Sequence, residues 1–256
     1  MHAAIAAAAT LVALAFALST GERWLRGRKR HEAAWTISLA MFALGSAALW
    51  LGASIGWSEW TFKAFYLFGA ILNVPWLALG TAELLAGPTH GRRWTTLVAL
   101  LSAFCSGLLV AAPLTGTIEP DVLPQGKEVF GAGPRIAAAV GSGVAAIVII
   151  AGALWSAWRL WRSHRSGLDT RGARSGAPSP RRLALANLVI AIGTLVLSAG
   201  GILNSVVNEM DGFSISLVVG ISIIFGGFLL TESRGSLRAL PEPVEWYPPE
   251  AQRAAA

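Results

Sequence analysis

Charged residues are scarce in this sequence, and their absence from long stretches argues against an ordinary soluble domain. Only 13% of the 256 residues are charged, whereas 54% are hydrophobic; soluble domains carry about 25% charged residues. Seven stretches contain no Asp, Glu, Lys or Arg: 1–21, 33–58, 64–82, 94–118, 136–158, 183–208 and 212–231. Each is close to the ~20 residues that a helix needs to cross ~30 Å of hydrocarbon. The sequence therefore predicts an all-α integral membrane protein, a bundle of seven transmembrane helices.

Histidine and cysteine are also rare, which narrows the chemistry that the chain can support. The four histidines, His2, His31, His90 and His164, all lie at or beyond the ends of the apolar stretches, so paired axial ligands for a buried haem are missing. The single cysteine, Cys105, cannot form an intramolecular disulfide. No GxxxxGK[ST], HExxH or cysteine cluster occurs. We expect no metal, no cofactor and no enzymatic activity.

The charge pattern predicts where each helix begins and ends. We place the spans at about residues 3–19, 33–54, 61–86, 94–114, 134–161, 182–207 and 214–231, within one transmembrane domain covering residues 1–232. Residues 233–256 contain several prolines, which preclude a continuous helix. We expect this segment to be a disordered, proline-rich cytoplasmic tail.

The basic residues predict the orientation of the bundle. Seventeen of the 20 lysines and arginines fall on the side that follows the first, third, fifth and seventh spans; the exceptions are Lys63, Lys127 and Arg135. The positive-inside rule then puts the N-terminus outside and the C-terminus in the cytoplasm of a multi-pass protein of the cell (inner) membrane. Topology thus explains the net charge of +6, and no nucleic-acid partner is expected.

The third span carries polar residues in the middle of an apolar run. Six of its residues recur at intervals of three or four and so share one helical face: Tyr66, Gly69, Asn73, Trp76, Gly80 and Glu83. Pro75 cannot donate a hydrogen bond to the carbonyl of Ile71, so a helix kink is expected on the N-terminal side of Pro75. Two interpretations remain open: Asn73 bonds a neighbouring helix and fixes packing, or it lines a ligand site.

The sixth span carries a second stripe of small and polar residues. Its members are Asn187, Ala191, Thr194, Ser198, Gly201, Ser205 and Asn208, with Asn204 beside them. Small residues at this spacing let helices approach closely, while the hydroxyls and amides could instead form a hydrogen-bonding track. The stripes predict that helices three, six and seven face each other.

Two charged residues near the span ends have ordinary explanations. Glu83 is expected to pair with Arg92, Arg93 or a loop arginine, and the alternative is a proton-coupling carboxylate. Lys63 follows Glu59 by four residues, the favourable order for a helical ion pair, and is expected to snorkel towards the interface.

These patterns lead to one functional hypothesis and one alternative. The hypothesis is binding, with transport, of a small solute or lipid-like ligand in a cavity among helices three, six and seven, lined by Tyr66, Asn73, Trp76, Glu83, Thr194, Ser198 and Asn204. The alternative is a non-transporting sensor or membrane partner that docks a cytoplasmic protein through the basic loop before the sixth span and the tail. Either protein would have the lipid bilayer as its partner.

Overall fold

The computed structural model describes residues 2–86, 88–165, 180–207 and 210–230. These residues contain seven helices long and apolar enough to cross a membrane, and none of them belongs to a β-strand. The prediction of an all-helical chain with seven such helices is confirmed, and it is compatible with a multi-pass membrane protein. The predicted tail and most of the basic loop lie outside the described residues.

The long helices follow the seven charge-free stretches in order. They are α1 (His2–Gly27), α2 (Arg30–Ile55), α3 (Glu59–Phe65, Tyr66–Leu72 and Asn73–Ala86), α4 (Pro88–Ala111), α5 (Ala132–Arg165), α6 (Pro180–Val207) and α7 (Met210–Leu229). The middle part of α3, Tyr66–Leu72, is a π-helix. A one-turn helix, Gly126–Val129, lies between α4 and α5.

The ends of α1 and α4 differ from the predicted bounds, because individual residues and not hydropathy alone determine where these helices begin and end. α1 continues beyond residue 19 to Gly27, and its last turns carry an exposed ion pair between Glu22 and Arg26. α4 begins at Pro88, because a proline is well tolerated in the first helical turn. It ends at Ala111, before the predicted residue 114, because Pro113 disfavours helical geometry in the residue that precedes it.

Six helices form a ring and one lies outside it. α1 packs on α2 and α7, α7 on α6, α6 on α5, α5 on α3, and α3 on α2, while α4 contacts α3 and α5 from the periphery. We call the end of the bundle that carries residues 112–131 the loop end, and the opposite end, where α1 joins α2, the basic end. α3 faces α6 and α7 across the interior of this ring.

The segment 112–131 folds over the loop end. The Thr115 amide donates to the Val129 carbonyl at 2.9 Å, and the Trp57 amide donates to the Pro120 carbonyl at 2.8 Å. Phe130 is buried and stacks on Phe62 of α3, with ring centroids 5.3 Å apart. This long connection is therefore part of the packed structure.

α6 and α7 approach closely through glycines that the predicted stripe does not contain. A Cβ atom added to Gly193 would lie 2.8 Å from the carbonyl oxygen of Gly220, and one added to Gly220 would lie 3.1 Å from that of Gly193. Asn187, which belongs to the stripe, instead donates to Ser156 of α5 at 3.0 Å. The polar stripe is thus distinct from the seam that joins α6 to α7.

Candidate functional site

A cavity of about 1030 Å³ lies inside the ring. Its walls come from α2, α3, α5, α6 and α7, and the segment 124–127 borders it at the loop end. The volume is at the upper end of the ~300–1,000 Å³ typical of ligand sites. Towards the basic end an aromatic and aliphatic core fills the interior, in which Trp35 meets Phe228 edge-on at 4.4 Å. The cavity therefore reaches from the loop end to about mid-depth.

Serine hydroxyls at mid-depth bond to backbone carbonyls of α3. In a π-helix a carbonyl accepts from the amide five residues later; for Ala70 that residue is Pro75, which has no N–H. The hydroxyl of Ser142 on α5 donates to the Ala70 carbonyl in its place, and Ser38 on α2 donates to the Asn73 carbonyl at 2.8 Å. Where the sequence predicts a kink, α3 therefore has a π-helix with two carbonyls bonded to neighbouring helices.

The side chain of Asn73 is buried and lines the cavity. Asn73 is only 6% exposed, and its Oδ1 has no hydrogen-bond partner among the described residues. It is the backbone carbonyl of Asn73, not its amide, that bonds to a neighbouring helix. A buried acceptor left without a donor costs ~1–3 kcal/mol, and a donor on a bound molecule would remove that cost.

Tyr66 lines the loop end of the same cavity. It packs against Phe130, with ring centroids 5.0 Å apart, and a Cβ atom added to Gly126 would lie 2.5 Å from its ring. Nearby, α2 and the π-helix meet backbone to backbone, since a Cβ atom added to Gly45 would lie 2.9 Å from the Gly69 amide nitrogen. Glycines thus hold Tyr66 and the π-helix in close contact with their neighbours.

Trp76 and Glu83 do not line the cavity; both bond to α4. The Trp76 indole donates to Ser102 at 3.1 Å, and Thr95 donates to Glu83 Oε1 at 3.0 Å. Trp76 and Glu83 both follow the π-helix in the same α-helical part as Asn73, and at ~100° per residue they lie about 60–80° around that helix from it, on the side that meets α4. The predicted single face of α3 is therefore divided between the cavity and α4.

The expected partners of Glu83 are Arg92, Arg93 or a loop arginine, and part of that loop, including Arg171 and Arg174, lies outside the described residues. The Glu83 Oε2 is buried without a hydrogen-bond partner among the described residues. No salt bridge to Arg92 or Arg93 occurs between described side chains. The Thr95 hydroxyl is the described group that donates a hydrogen bond to the Glu83 carboxylate.

Of the α6 residues predicted to bind a ligand, Thr194 and Ser198 line the cavity. Their hydroxyls donate within the helix, Thr194 to the Ile190 carbonyl and Ser198 to the Thr194 carbonyl, both at 2.9 Å. The oxygen lone pairs of both hydroxyls remain able to accept from a ligand. The side chain of Asn204 lies outside the described part of the structure.

Sequence analysis did not identify the walls formed by α2 and α5. Ser38 and Ser46 of α2 and Ser142 of α5 line the cavity. The sequence does contain a pattern that indicates the α2 wall, because Ser38 and Ser46 are eight residues apart and so share a helical face. Lys127 and Arg135 at the loop end of the cavity were also missed.

Three kinds of comparison bear on what the chain resembles. No protein-family model matches the sequence, no curated protein matches it, and no solved structure matches the fold. The function is therefore inferred from the cavity and the residues that line it.

Proposed function

We propose that this protein binds, and transports, a small solute or lipid-like ligand in the central cavity. The observation that carries the proposal is the buried side chain of Asn73 on a large cavity, because its Oδ1 has no hydrogen-bond partner among the described residues. A buried acceptor at mid-depth is an energetic cost to the unliganded protein, and a ligand with a donor group would turn it into a favourable contact once the side chain rotates its oxygen into the cavity. Polar groups near the membrane midplane are where many transporters hold their substrates.

The one-sided shape of the cavity supports transport. The cavity occupies the loop-end half of the interior, while Leu77, Ile224 and the core around Phe228 close it towards the basic end. Alternating access requires a central site closed to one side at a time. In the proposed orientation the loop end is outside the cell, so this conformation would be the outward-facing one.

Filling the cavity should prevent binding. Gly143 of α5 lines the cavity, and a Cβ atom added there would meet no described atom within 4 Å. Gly107 of α4 is equally open but does not line the cavity. Wild-type protein purified in nanodiscs and analysed by mass spectrometry should carry a bound small molecule that Gly143→Phe lacks and Gly107→Phe retains. Equal amounts of bound small molecule per protein in the wild type and both variants would contradict binding in this cavity.

The proposed orientation has its own test. In a chain with Cys105 replaced by serine, a single cysteine at Asp121 should react with an impermeant maleimide on intact cells. A single cysteine at Lys29, in the connection between α1 and α2, should react only after permeabilisation. Both positions are exposed, so access to the reagent depends on the side of the membrane. The opposite labelling pattern would invert the assignment.

A further inference from the structure

The charges around the cavity are of one sign. Arg135, in the first turn of α5, and Lys127 line its loop end, and both side chains are exposed. Among the described residues no acidic side chain lines the cavity, although Glu119, Asp121 and Glu128 lie in the segment that covers this end. Arg135 forms no salt bridge with a described residue. The two charged side chains that line the cavity are thus both cationic, although the segment that covers this end also carries three carboxylates.

Below these two cations the walls are mostly apolar and extend about as far as one leaflet of a bilayer. On α5 the lining residues run from Ala132 to Ala146, and the part from Arg135 to Ala146 spans about 16 Å at ~1.5 Å per residue. The hydrocarbon core of a bilayer is ~30 Å thick. Val74, Leu217 and Ile221 are among the aliphatic side chains that form the opposite walls. This depth and polarity suit an acyl chain more than a soluble ion.

Two glycines border the cavity on α5 and α6 near the loop end. A Cβ atom added to Gly143 of α5 or to Gly201 of α6 would meet no described atom within 4 Å, and both glycines line the cavity. Nearer the basic end the two helices are joined, because Asn187 donates to Ser156 at 3.0 Å. Neither glycine therefore narrows the cavity where α5 and α6 border it.

We propose that the ligand is an anionic amphiphile, with a single negative head group at Arg135 and Lys127 and a mainly apolar chain that lies in the cavity and carries a hydrogen-bond donor, such as a hydroxyl, for Asn73. A guanidinium and an ammonium bind carboxylate or phosphate oxygens through charge-assisted hydrogen bonds, and a cationic amphiphile would be repelled by them. This inference rests on the proposed function, since it names the chemical class of the molecule bound in that cavity.

The test is equilibrium binding of radiolabelled palmitate to the full chain in phosphatidylcholine nanodiscs, with protein-free nanodiscs as the blank. Hexadecanol and hexadecyltrimethylammonium supply the same chain with a neutral and a cationic head, and butyrate supplies the carboxylate without the chain. We expect saturable palmitate binding, displacement by hexadecyl phosphate, displacement by hexadecanol only at about tenfold higher concentration, and none by butyrate or the cationic amphiphile.

Charge-removing variants locate the head group. Arg135→Gln should weaken palmitate binding by about ten- to a hundredfold, as expected for loss of a charged hydrogen bond, and leave hexadecanol binding unchanged. Lys127→Gln tests the second cation at the loop end of the cavity by the same palmitate-binding measurement. Arg92→Gln, which removes an exposed charge of α4 near the basic end, is the matched control and should bind as the wild type does.

Specific outcomes separate this inference from the proposed function. No saturable palmitate binding, equal affinities for palmitate and hexadecanol, or unchanged palmitate binding in both Arg135→Gln and Lys127→Gln would overturn the anionic amphiphile. If Gly143→Phe still removed the molecule that co-purifies with the wild type, the cavity would remain the binding site for another ligand. If Gly143→Phe changed neither palmitate binding nor the co-purifying molecule, the proposed function itself would fail.

Discussion

Lys63→Met is expected to lower the free energy of unfolding by about 2–6 kcal/mol, because it leaves two carbonyl oxygens at the end of α4 without a donor, at ~1–3 kcal/mol each. The Lys63 side chain is 6% exposed. Its ammonium donates to the carbonyls of Val110 at 3.2 Å and Ala112 at 3.1 Å. The C-terminus of a helix is also the negative end of its dipole, where a cation is favourable. Methionine would keep the apolar stem and remove only the donor.

The ion pair with Glu59 should contribute less to this loss than the carbonyls. The Glu59 carboxylate lies 2.8 Å from the Lys63 ammonium but is 44% exposed, and exposed pairs are worth at most ~1 kcal/mol. Glu59→Gln should therefore be mild. Lys29→Met, which replaces an exposed lysine, is the control for loss of a charge alone. Unfolding midpoints in detergent measure all three. A Lys63→Met midpoint equal to that of Lys29→Met would show that the α4 carbonyls do not depend on Lys63.

Lys63 illustrates which contacts a sequence can predict. The spacing of Glu59 and Lys63 predicts an ion pair within one helix, and the structure contains it. Snorkelling was the expected role of the lysine, yet its ammonium is buried against the end of α4. The Val110 carbonyl is 47 residues away along the chain, so no local pattern could predict this contact.

Hydropathy predicts the seven helices because the cost of placing charge in hydrocarbon is large and depends little on the neighbouring helices. It predicts the ends of helices less well. At the end of α1 the chain remains helical through Glu22 and Arg26, since charged residues are compatible with a helix once it leaves the apolar region. At the end of α4 a single residue, Pro113, determines the bound.

The candidate site could be predicted only in part, for a similar reason. Tyr66 and Asn73 share the cavity with Thr194 and Ser198, as the helical periodicity of the two stripes allows. Trp76 and Glu83 follow the π-helix in the same α-helical part as Asn73, and at ~100° per residue they lie about 60–80° around that helix from it, where they bond to α4. A helical projection counts an arc of this width as one face, and only the positions of the neighbouring helices decide which part of the face meets the cavity.

Asn73→Leu is expected to have opposite effects on stability and on binding. Without ligand, the substitution removes a buried oxygen that has no partner among the described residues, so the unfolding midpoint should stay the same or rise. With ligand, the same substitution removes an acceptor from the cavity wall. Loss of one hydrogen bond to a buried polar group costs ~1–3 kcal/mol, which corresponds to a decrease in affinity of about five- to 150-fold.

Thr81→Val is the matched control for a buried polar group of α3. Thr81 is 4% exposed, does not line the cavity, and donates to the Leu77 carbonyl at 3.1 Å. Its replacement should leave the amount of co-purifying molecule unchanged. The measurements are the bound small molecule per protein, by mass spectrometry, and the unfolding midpoint before and after that molecule is removed by detergent exchange.

The sign of the change in the ligand-free midpoint distinguishes the two roles that Asn73 could have. An amide that fixed packing would stabilise the empty protein, so Asn73→Leu would lower the midpoint and reduce binding only in proportion to the folded fraction. An amide kept for a ligand is a cost in the empty protein, and Asn73→Leu would relieve that cost while lowering affinity. The carbonyl of Asn73 already accepts the hydrogen bond from Ser38 that joins α2 to α3, and leucine preserves this carbonyl. Packing of α2 on α3 therefore does not require the side-chain amide, and a lower ligand-free midpoint with unchanged binding would exclude Asn73 from the ligand site.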